Sequence, residues 1–420
     1  MRILLAIHNA YTDHTSGAAH SMRIIMQWLA EAGLEVRVLG TARFDARPPS
    51  NLAQHLADHE IVAVRHPPPK AVSRGTKRHA NLGPGRPTFE FIHRGVPVTM
   101  LATSAPRNTP AERFEREQFI YHFDHQLRSF EPDVVLSYGG HPVIREVMRR
   151  ARAAGRRTVF TLRNYGYEDR SYYEHVDHVF TTSPYLSRFY AEKIGLRSIA
   201  IESPIDWEDV EAPEDLRRFV TFVNPSPAKG SYLFARLADV LGSERPDIPV
   251  LVVQSATSAG GLNTIPGLDF AKYPHIMAAP ATPRGADFFA LTRILLVPSA
   301  VAECFGRVAA EALINGIPPL VSDRGGLPET VGDGGTVIPL PPWLTPQAGE
   351  LPSVDEVRPW FAAICELWDS PAAYTAASDR ARAEGVARYH ESVMRRRYLE
   401  YFESLGKAES LFDAGGGAGD

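Results

Sequence analysis

The chain of 420 residues is long enough for two or three domains, and its 44% of hydrophobic residues is a normal share for globular cores. The net charge of −4 is small, so the overall charge gives no indication of a nucleic acid or another polyanion as a partner. The two cysteines, Cys304 and Cys365, exclude a disulfide framework and a cysteine-rich metal cluster.

Signals for membranes and for secretion are weak. No apolar run approaches the ~18 residues that a membrane-spanning helix needs, and the apolar segment Met1–His8 is too short for a secretory signal. We therefore expect a cytoplasmic protein, with peripheral membrane contact left open. Residues 65–94 combine basic side chains with many prolines and glycines, which is typical of a solvated loop or of a flexible contact for membrane phosphates or an anionic acceptor.

The first half of the chain alternates apolar strands with helices. Arg2–His8 is predicted to be a buried strand, Ala18–Ala32 shows helical spacing that Gly33 ends, and Leu34–Leu39 is the next strand. Such a strand–helix–strand unit predicts a parallel, doubly wound sheet. Further predicted elements are the helices Ala111–Phe130, Val143–Ala154 and Pro184–Ile194 and the strands Asp133–Ser137, Thr158–Leu162 and Val176–Thr182.

The pattern stops in an acidic, irregular segment around residues 201–214 and then restarts, which predicts a second βα-rich half. We expect an α/β fold of two facing Rossmann-like domains, with the ligand in the cleft between them. The expected boundaries are 1–205 and 206–385 for the domains, 386–408 for a C-terminal helix packing back towards the first domain, and 409–420 for a disordered tail. The predicted elements are the strands Phe219–Val223, Val250–Gln254, Ile294–Val297 and Pro319–Val321, and the helices Lys229–Leu241 and Tyr374–Leu405, with Glu311 on a further helix.

Two carboxylates in the second half stand eight positions apart. Glu303 follows the predicted strand that ends at Val297, and Glu311 lies on an otherwise apolar helix that begins near Gly306. The amides of Phe305 and Gly306 at that helix start are suited to a diphosphate. Glu311 lies about 7–8 Å further along the helix, where it can accept hydrogen bonds from a ribose, and Glu303 can accept them from a sugar. This pattern predicts a site for a sugar nucleotide.

The motif that contains the two glutamates resembles a known family. Glu303-Cys-Phe-Gly, four residues, Glu311-Ala-Leu, and then Gly325-Gly-Leu-Pro-Glu are similar to the signature of retaining glycosyltransferases of family 4, among the group 1 glycosyl transferases. The loop that runs from Phe222 to Lys229-Gly230 resembles the donor-phosphate lysine loop of that family. The resemblance implies a GT-B fold, a nucleotide-sugar donor such as a UDP- or GDP-sugar in the second domain, and an acceptor mainly on the first.

The resemblance also implies a hexosyltransferase-like enzyme without a metal, and no other cofactor. No Asp-x-Asp pair is positioned like a metal site, so Lys229 and the helix start at Gly306 are expected to supply the positive charge. Cys304, Phe305 and Arg307 belong to the same donor-binding segment. The expected acceptors are a glycan, a lipid-linked sugar or a small molecule, and polysaccharide biosynthesis is one expected role.

The chain departs from the family at two positions. Asn224 stands where the family usually has an arginine, and Arg163 stands where many relatives have a histidine near the reacting sugar. An arginine cannot act as a general base near neutral pH, so Arg163 is suited to a phosphate or to a sugar hydroxyl. His141 and Asn164 are candidates on the acceptor side, and Gly17 is a weaker candidate for close approach of the backbone to the donor.

The resemblance suggests transfer with retention, by front-face attack in which the departing diphosphate takes the acceptor's proton. Two other classes stay open. A nucleotide-sugar epimerase shares this kind of fold, and a non-catalytic sugar-nucleotide-binding protein is favoured by Arg163 and Asn224. The sequence does not identify the sugar, the base, the acceptor or the oligomeric state.

Overall fold

The computed structural model describes residues 1–45, 51–68, 85–103, 113–254, 262, 273–282, 284–406 and 410–412. The chain divides into two compact units. The first unit comprises residues 1–182, 187–201 and 395–420, and the second comprises 183–186 and 202–394.

The first unit is built on a nine-stranded sheet in the order β3-β4-β5-β2-β1-β6-β7-β8-β9. Its central pairs, β2 with β1 and β1 with β6, are parallel, as the strand–helix–strand pattern predicts. The strands are β1 (Arg2–Ala6), β2 (Glu35–Thr41), β3 (Ala63–His66), β4 (Thr88–His93), β5 (Val96–Leu101), β6 (Val134–Ser137), β7 (Arg157–Leu162), β8 (His178–Thr181) and β9 (Ile199–Ala200).

Four helices along this part of the chain agree with the sequence pattern to within a few residues, whereas the short helix Leu52–Asp58 was not predicted. The first helix begins at Gly17 because the Ser16 hydroxyl accepts a hydrogen bond from the Ala19 amide, and it ends before Gly33, which has a φ of +86°. The helices are α1 (Gly17–Glu31), α2 (Leu52–Asp58), α3 (Arg113–Ser129), α4 (Pro142–Ala153) and α5 (Pro184–Ile194).

One edge of the first sheet is antiparallel, which the sequence analysis did not predict. The β4 strand pairs antiparallel with both β3 and β5, and β5 then pairs parallel with β2. A tight turn at Arg94 and Gly95, both with positive φ, joins β4 to β5. The hairpin therefore extends the doubly wound sheet beyond β2 without another crossover helix.

The second unit contains a six-stranded sheet in the order β12-β11-β10-β13-β14-β15, and all its pairs are parallel. Phe222 stacks on Phe234 at 4.4 Å between ring centroids, within a core that also includes the fully buried Trp360. The strands are β10 (Phe219–Val223), β11 (Val250–Val253), β12 (Ile276–Ala279), β13 (Thr292–Val297), β14 (Pro319–Ser322) and β15 (Thr336–Ile338). The helices are α6 (Trp207–Val210), α7 (Ser231–Glu244), α8 (Ala286–Phe289), α9 (Arg307–Ile314), α10 (Leu327–Val331), α11 (Val354–Asp369) and α12 (Pro371–Tyr389). The next helix, α13 (Glu391–Ser404), has most of its residues in the first unit.

The expectation of one long helix over Tyr374–Leu405 is wrong. The helix is broken at His390, whose backbone is extended at φ −56° and ψ 139°, so α12 and α13 are separate. The His390 ring accepts a hydrogen bond from the Ser392 amide, at 3.3 Å from Nδ1, and thereby caps the start of α13. Within the first unit, α13 contacts α1, where Arg395 pairs with Glu31 at 2.9 Å.

Some predicted features lie outside the described residues. They include Lys70, Arg74, Lys77 and Arg78 of the basic segment, Ala111 at the start of a predicted helix, and residues 407–409 and 413–420 of the C-terminal region. Across the parts of the chain that the structure describes, no helix combines the length and the apolar character that crossing a membrane requires.

Candidate functional site

The loops that follow β10 and β13 meet because the two strands are neighbours in the second sheet. The amides of Ala300 and Val301 donate to the carbonyl of Ala228 at 3.0 and 3.3 Å. Gly230 has a φ of +88°, and a Cβ at this position would overlap the Pro298 carbonyl oxygen. The chain also leaves β10 and β13 towards opposite ends of the sheet, so this is the topological switch point where doubly wound sheets bind ligands.

Lys229 and Glu303, which are 74 positions apart, are in direct contact at this point. The Lys229 ammonium lies 2.5 Å from Glu303 Oε1. The Ser299 hydroxyl, which is buried, donates to the same oxygen at 2.7 Å. The side chain of Lys229 is 36% exposed and that of Glu303 is 15% exposed. The structure therefore brings the predicted phosphate-binding lysine and the predicted sugar-binding glutamate into one polar cluster.

Glu303 is also held from the β14 side. Gly326 donates its amide to the Glu303 carbonyl at 2.7 Å, and Gly325 forms a parallel bridge with Glu303. Gly325 has a φ of +67°, and a Cβ there would overlap the backbone of Glu303. This pair of glycines explains the close approach of the two loops, since no other residue type combines this φ with the space available.

The α9 helix begins directly after this loop. Gly306 is its N-cap with a φ of +95°, and it brings no side chain to the helix start. Phe305 is buried with its ring edge-to-face on Tyr389 at 5.7 Å, and its carbonyl accepts a hydrogen bond from the Thr330 hydroxyl. Hence the backbone at Phe305 and Gly306 is fixed in place, with the amide end of an eight-residue helix beside Glu303.

Glu311 is a buried carboxylate, as its apolar surroundings on the helix suggested. Its side chain is 11% exposed and accepts a hydrogen bond from Arg307 Nη2 at 2.9 Å. Burial raises the pKa of Glu311, and the Arg307 guanidinium one turn away opposes that rise. The sequence placed Arg307 in the donor-binding segment, and the structure shows its guanidinium on Glu311.

Asn224 and Cys304 complete the predicted donor residues. Asn224 directly follows β10 and has a φ of +62°. Its backbone amide donates to the Val253 carbonyl at 2.9 Å, and its side-chain Oδ1 is buried without a hydrogen-bond partner among the described residues. Cys304 is half-buried, and its carbonyl accepts from the Ser183 hydroxyl.

In the first unit, Gly17 and Arg163 are joined through Ser21. Gly17 is the first residue of α1, and its carbonyl accepts from the Ser21 hydroxyl at 2.9 Å. Arg163 Nη2 donates to the same hydroxyl at 2.6 Å. The Arg163 side chain is thus directed towards the start of α1, which contains the candidate Gly17.

The two acceptor-side candidates occupy different loops. His141 is the N-cap of α4 and accepts a hydrogen bond from the Val143 amide. Asn164 is exposed, and its carbonyl accepts from the Tyr190 hydroxyl at 2.8 Å.

Sequence reasoning missed several residues that hold these loops. Ser299 supports Glu303, and Thr330 supports Phe305. A buried group beneath His141, formed by His8, Arg43 and Glu115, was also missed. Only the Gly325-Gly326 pair gave a signal in advance, because two adjacent glycines after a strand indicate close backbone approach.

Among the described residues, no group of three or more His, Cys, Asp or Glu side chains is placed to hold a metal ion. The charged groups around Glu303 and Glu311 are instead Lys229 and Arg307. The arrangement provides two cation–carboxylate pairs and a free helix start within one loop region of the second sheet.

The fold and part of the sequence are similar to known glycosyltransferases. Residues 280–342, which contain Glu303, Glu311 and Gly325, match the family model described as "Glycosyl transferases group 1". A comparison with curated protein sequences finds no match. The family model covers one segment of the chain, and the likeness of the remainder is structural.

Solved structures of similar fold cover almost the whole chain. A glycosyltransferase from Rickettsia africae is 12% identical with a TM-score of 0.66, covering 96% of this chain and 98% of its own. Anabaena HepE in complex with UDP is 15% identical with a TM-score of 0.65, covering 96% and 100%. Sucrose-phosphate synthase from Thermosynechococcus elongatus is 15% identical with a TM-score of 0.64, covering 96% and 98%. The chain therefore has an α/β fold of the GT-B class, with two parallel-sheet domains.

Proposed function

We propose that this protein is a retaining glycosyltransferase that transfers a sugar from a nucleotide-sugar donor to a glycan, a lipid-linked acceptor or a small molecule. The observation that carries the proposal is the contact between Lys229 and Glu303 at the switch point of the second sheet. A cation for the phosphates and a carboxylate for the sugar hydroxyls lie there beside a helix start. The match of residues 280–342 to group 1 glycosyl transferases and the UDP complex of Anabaena HepE support the same class of ligand.

In this proposal each donor residue has a distinct task. Lys229 and the amides at Phe305 and Gly306 bind the diphosphate, because a helix start and an ammonium group both favour an anion. Glu303 accepts hydrogen bonds from the sugar, and Glu311 accepts them from the ribose. Asn224 and Cys304 lie in the same region, and Asn224 is proposed to offer its side-chain amide to the phosphates. Arg307 holds the Glu311 carboxylate in place.

The Lys229–Glu303 contact also suggests how binding of the diphosphate to Lys229 is coupled to binding of the sugar to Glu303. A diphosphate that binds to Lys229 competes with Glu303 for the ammonium group. Glu303 Oε1 then becomes free to accept from a sugar hydroxyl, while Ser299 keeps the carboxylate in position. The free energy of breaking the ion pair is thus offset in part by the new contact to the sugar.

We infer a front-face reaction without a metal. The bond from the anomeric carbon to the diphosphate breaks, and the acceptor oxygen bonds to that carbon on the same face. The acceptor's proton passes to the departing diphosphate, whose negative charge Lys229 and the α9 helix start stabilise. Arg163 is proposed to contact a phosphate or a sugar hydroxyl, since it cannot take a proton near neutral pH.

A thermal-shift screen with UDP-, GDP- and ADP-sugars tests donor binding. A ligand that binds the folded protein alone raises its melting temperature by mass action, so one base class should give a clear shift. Lys229→Ala should abolish that shift, whereas Lys193→Ala, at an exposed position in α5, should retain it. The absence of a shift with every nucleotide sugar would contradict the donor site.

Product analysis then separates the classes of function. Transfer to an acceptor with the donor's anomeric configuration, read by NMR, is the expected result, and inversion would contradict the front-face reaction. Epimerisation of the donor without an acceptor would indicate an epimerase. Donor binding with no transfer in a broad acceptor screen would indicate a sugar-nucleotide-binding protein. A vesicle-binding assay and cell fractionation would test the cytoplasmic location and the peripheral membrane contact.

A further inference from the structure

A buried polar group lies at the carboxyl end of β1 in the first unit and has no part in the proposed donor site. His8 Nε2 lies 3.2 Å from Glu115 Oε1, and Arg43 Nη1 lies 3.4 Å from the same oxygen. All three residues are at most 5% exposed. The His8 Nε2 contact is close but is not aligned as a hydrogen bond, and dense packing around this buried group limits the movement of the His8 ring.

The His141 ring lies on the His8 ring. The centroids are 4.1 Å apart and the planes differ by 21°, which is a stacked arrangement. The edge of Phe119 meets His8 at 5.5 Å. This stacking limits the orientations that His141 can adopt and leaves its ring in a defined plane.

The backbone of α4 determines which nitrogen of His141 carries the proton. Nδ1 accepts a hydrogen bond from the Val143 amide at 3.2 Å, so this nitrogen must be unprotonated. In a neutral imidazole the proton is then on Nε2. His141 therefore offers one N–H donor and keeps its lone pair engaged with the helix.

The ring is neutral near physiological pH. The pKa of His141 is lowered to about 4, chiefly by burial and then by the neighbouring His8 and Arg43. Glu115 opposes this change, and Arg116 on the same helix favours it. The charged and titratable groups around the ring thus favour the uncharged form.

His141 stands at the second switch point of the molecule. The chain leaves β1 and β6 towards opposite ends of the first sheet, and His141 follows β6 after Gly139 and Gly140. Gly139 has a φ of +99°. Ligands of doubly wound sheets bind where such neighbouring strands diverge.

We propose that His141 is a fixed Nε2–H donor to a substrate oxygen, and that His8 and Glu115 are the positioning residues that hold it. The proposal rests on the proposed glycosyl transfer for its substrate, in which the first unit binds the acceptor. It assigns His141 to recognition of a hydroxyl or phosphate oxygen and excludes it as the base that deprotonates the acceptor. The base-free, front-face reaction proposed above requires the same exclusion.

The tautomer is measurable without any substrate. Long-range ¹H–¹⁵N NMR on the labelled full chain should show His141 protonated at Nε2 alone and neutral down to about pH 5. His8→Phe should preserve this state because an aromatic ring remains beneath His141. His8→Ala should let the pKa of His141 rise towards its ordinary value. A proton on Nδ1, or a titration of His141 that His8→Ala leaves unchanged, would overturn the proposal even if transfer activity were established.

Turnover distinguishes a donor from a base once an acceptor is known. His141→Phe should lower kcat/KM by about tenfold, as expected for one lost hydrogen bond, and His141→Gln should restore most of it through its amide N–H. The wild-type rate should show no loss from a group of pKa near 6.5 between pH 7 and 5. The proposal would be overturned if His141→Phe and His141→Gln lowered kcat/KM equally and if the wild-type rate fell between pH 7 and 5 with a dependence that His141→Gln abolished. Those results would identify His141 as a base.

Discussion

Arg307 and Glu311 form an ion pair one helical turn apart, with 2.9 Å between Nη2 and Oε1, at the start of the short α9 helix. The partners are 28% and 11% exposed, so the pair is more buried than most (i, i+4) pairs on helices. Glu311 is predicted to bind the ribose, and burial makes its charged form costly unless a cation lies nearby. Arg307 supplies that cation from the same helix.

Replacing Arg307 by Ala should leave Glu311 buried and unpaired. We expect a loss of about 1–3 kcal/mol in the free energy of unfolding at pH 8, because an unpaired buried charge is costly. The loss should be smaller at pH 5. Burial already raises the pKa of Glu311 above its ordinary value. Between the ordinary pKa and the raised pKa the folded state binds more protons than the unfolded state, so the free energy of unfolding falls as pH rises through this range.

Arg113→Ala provides the matched control for this prediction. Arg113 pairs with Glu117 at the same spacing, at 2.8 Å, but both side chains are at least 36% exposed. Denaturation at pH 5 and pH 8 should therefore show little change for this variant. If Arg307→Ala were no more destabilising than Arg113→Ala, or were equally destabilising at both pH values, the pairing would not govern the state of Glu311.

The two partners of the Lys229–Glu303 pair should respond differently to substitution. Lys229→Ala removes the cation and should weaken binding of both the nucleoside diphosphate and the nucleotide sugar by at least about tenfold. Glu303→Gln frees Lys229 from its partner, so the diphosphate should bind as tightly as before or more tightly. The nucleotide sugar should lose the affinity that its sugar contributes. Calorimetry with each ligand gives both affinities, and a parallel loss for both ligands in Glu303→Gln would refute the division of roles.

Much of the second unit could be predicted from local sequence alone. The β10 strand has the predicted limits Phe219–Val223, and Glu303, Gly306 and Glu311 lie on the loop and helix that their spacing indicated. These features depend on hydrophobic periodicity and on helix-start signals, which are encoded in neighbouring residues. The repeated βα pattern predicted two Rossmann-like domains, and the resemblance of the motif to a known family implied the GT-B class of fold.

Contacts that depend on sheet order could not be predicted in the same way. Lys229 meets Glu303 only because β10 lies beside β13, and His8 meets Glu115 across 107 positions of sequence only because their elements pack together. Periodicity contains no information about which strands become neighbours. The residues that support the site from other elements were therefore missed.

The break between α12 and α13 escaped prediction for a different reason. No proline or glycine stands at His390, and the charged amphipathic pattern continues through it. At the break, the Trp207 indole donates a hydrogen bond to the Tyr389 carbonyl at 2.8 Å. A local sequence pattern cannot register such a partner, because Trp207 is 182 positions away.

Gly325 should tolerate no side chain. Gly325→Ala combines a φ of +67° with overlap against the backbone of Glu303. We expect a loss of about 2 kcal/mol or more in stability and weaker nucleotide-sugar binding, because the Glu303 loop must shift. Gly349→Ala is the control, since Gly349 has a φ of +68° with no neighbouring atom nearer than 3.9 Å. It should cost only about 1 kcal/mol, and similar effects of the two variants would rule out the steric explanation.

Asn224 adopts a conformation that favours glycine, which allows backbone and side-chain effects to be separated. Its φ is +62°, so Asn224→Gly should leave stability unchanged or raise it slightly, and Asn224→Ala should lower it by about 1 kcal/mol. Both variants remove the amide whose Oδ1 is buried beside the proposed phosphate loop. Both should therefore weaken diphosphate binding to the same extent in calorimetry while their melting temperatures diverge. Equal melting temperatures would contradict the backbone effect, and wild-type affinity in either variant would contradict the contact of the side chain with the diphosphate.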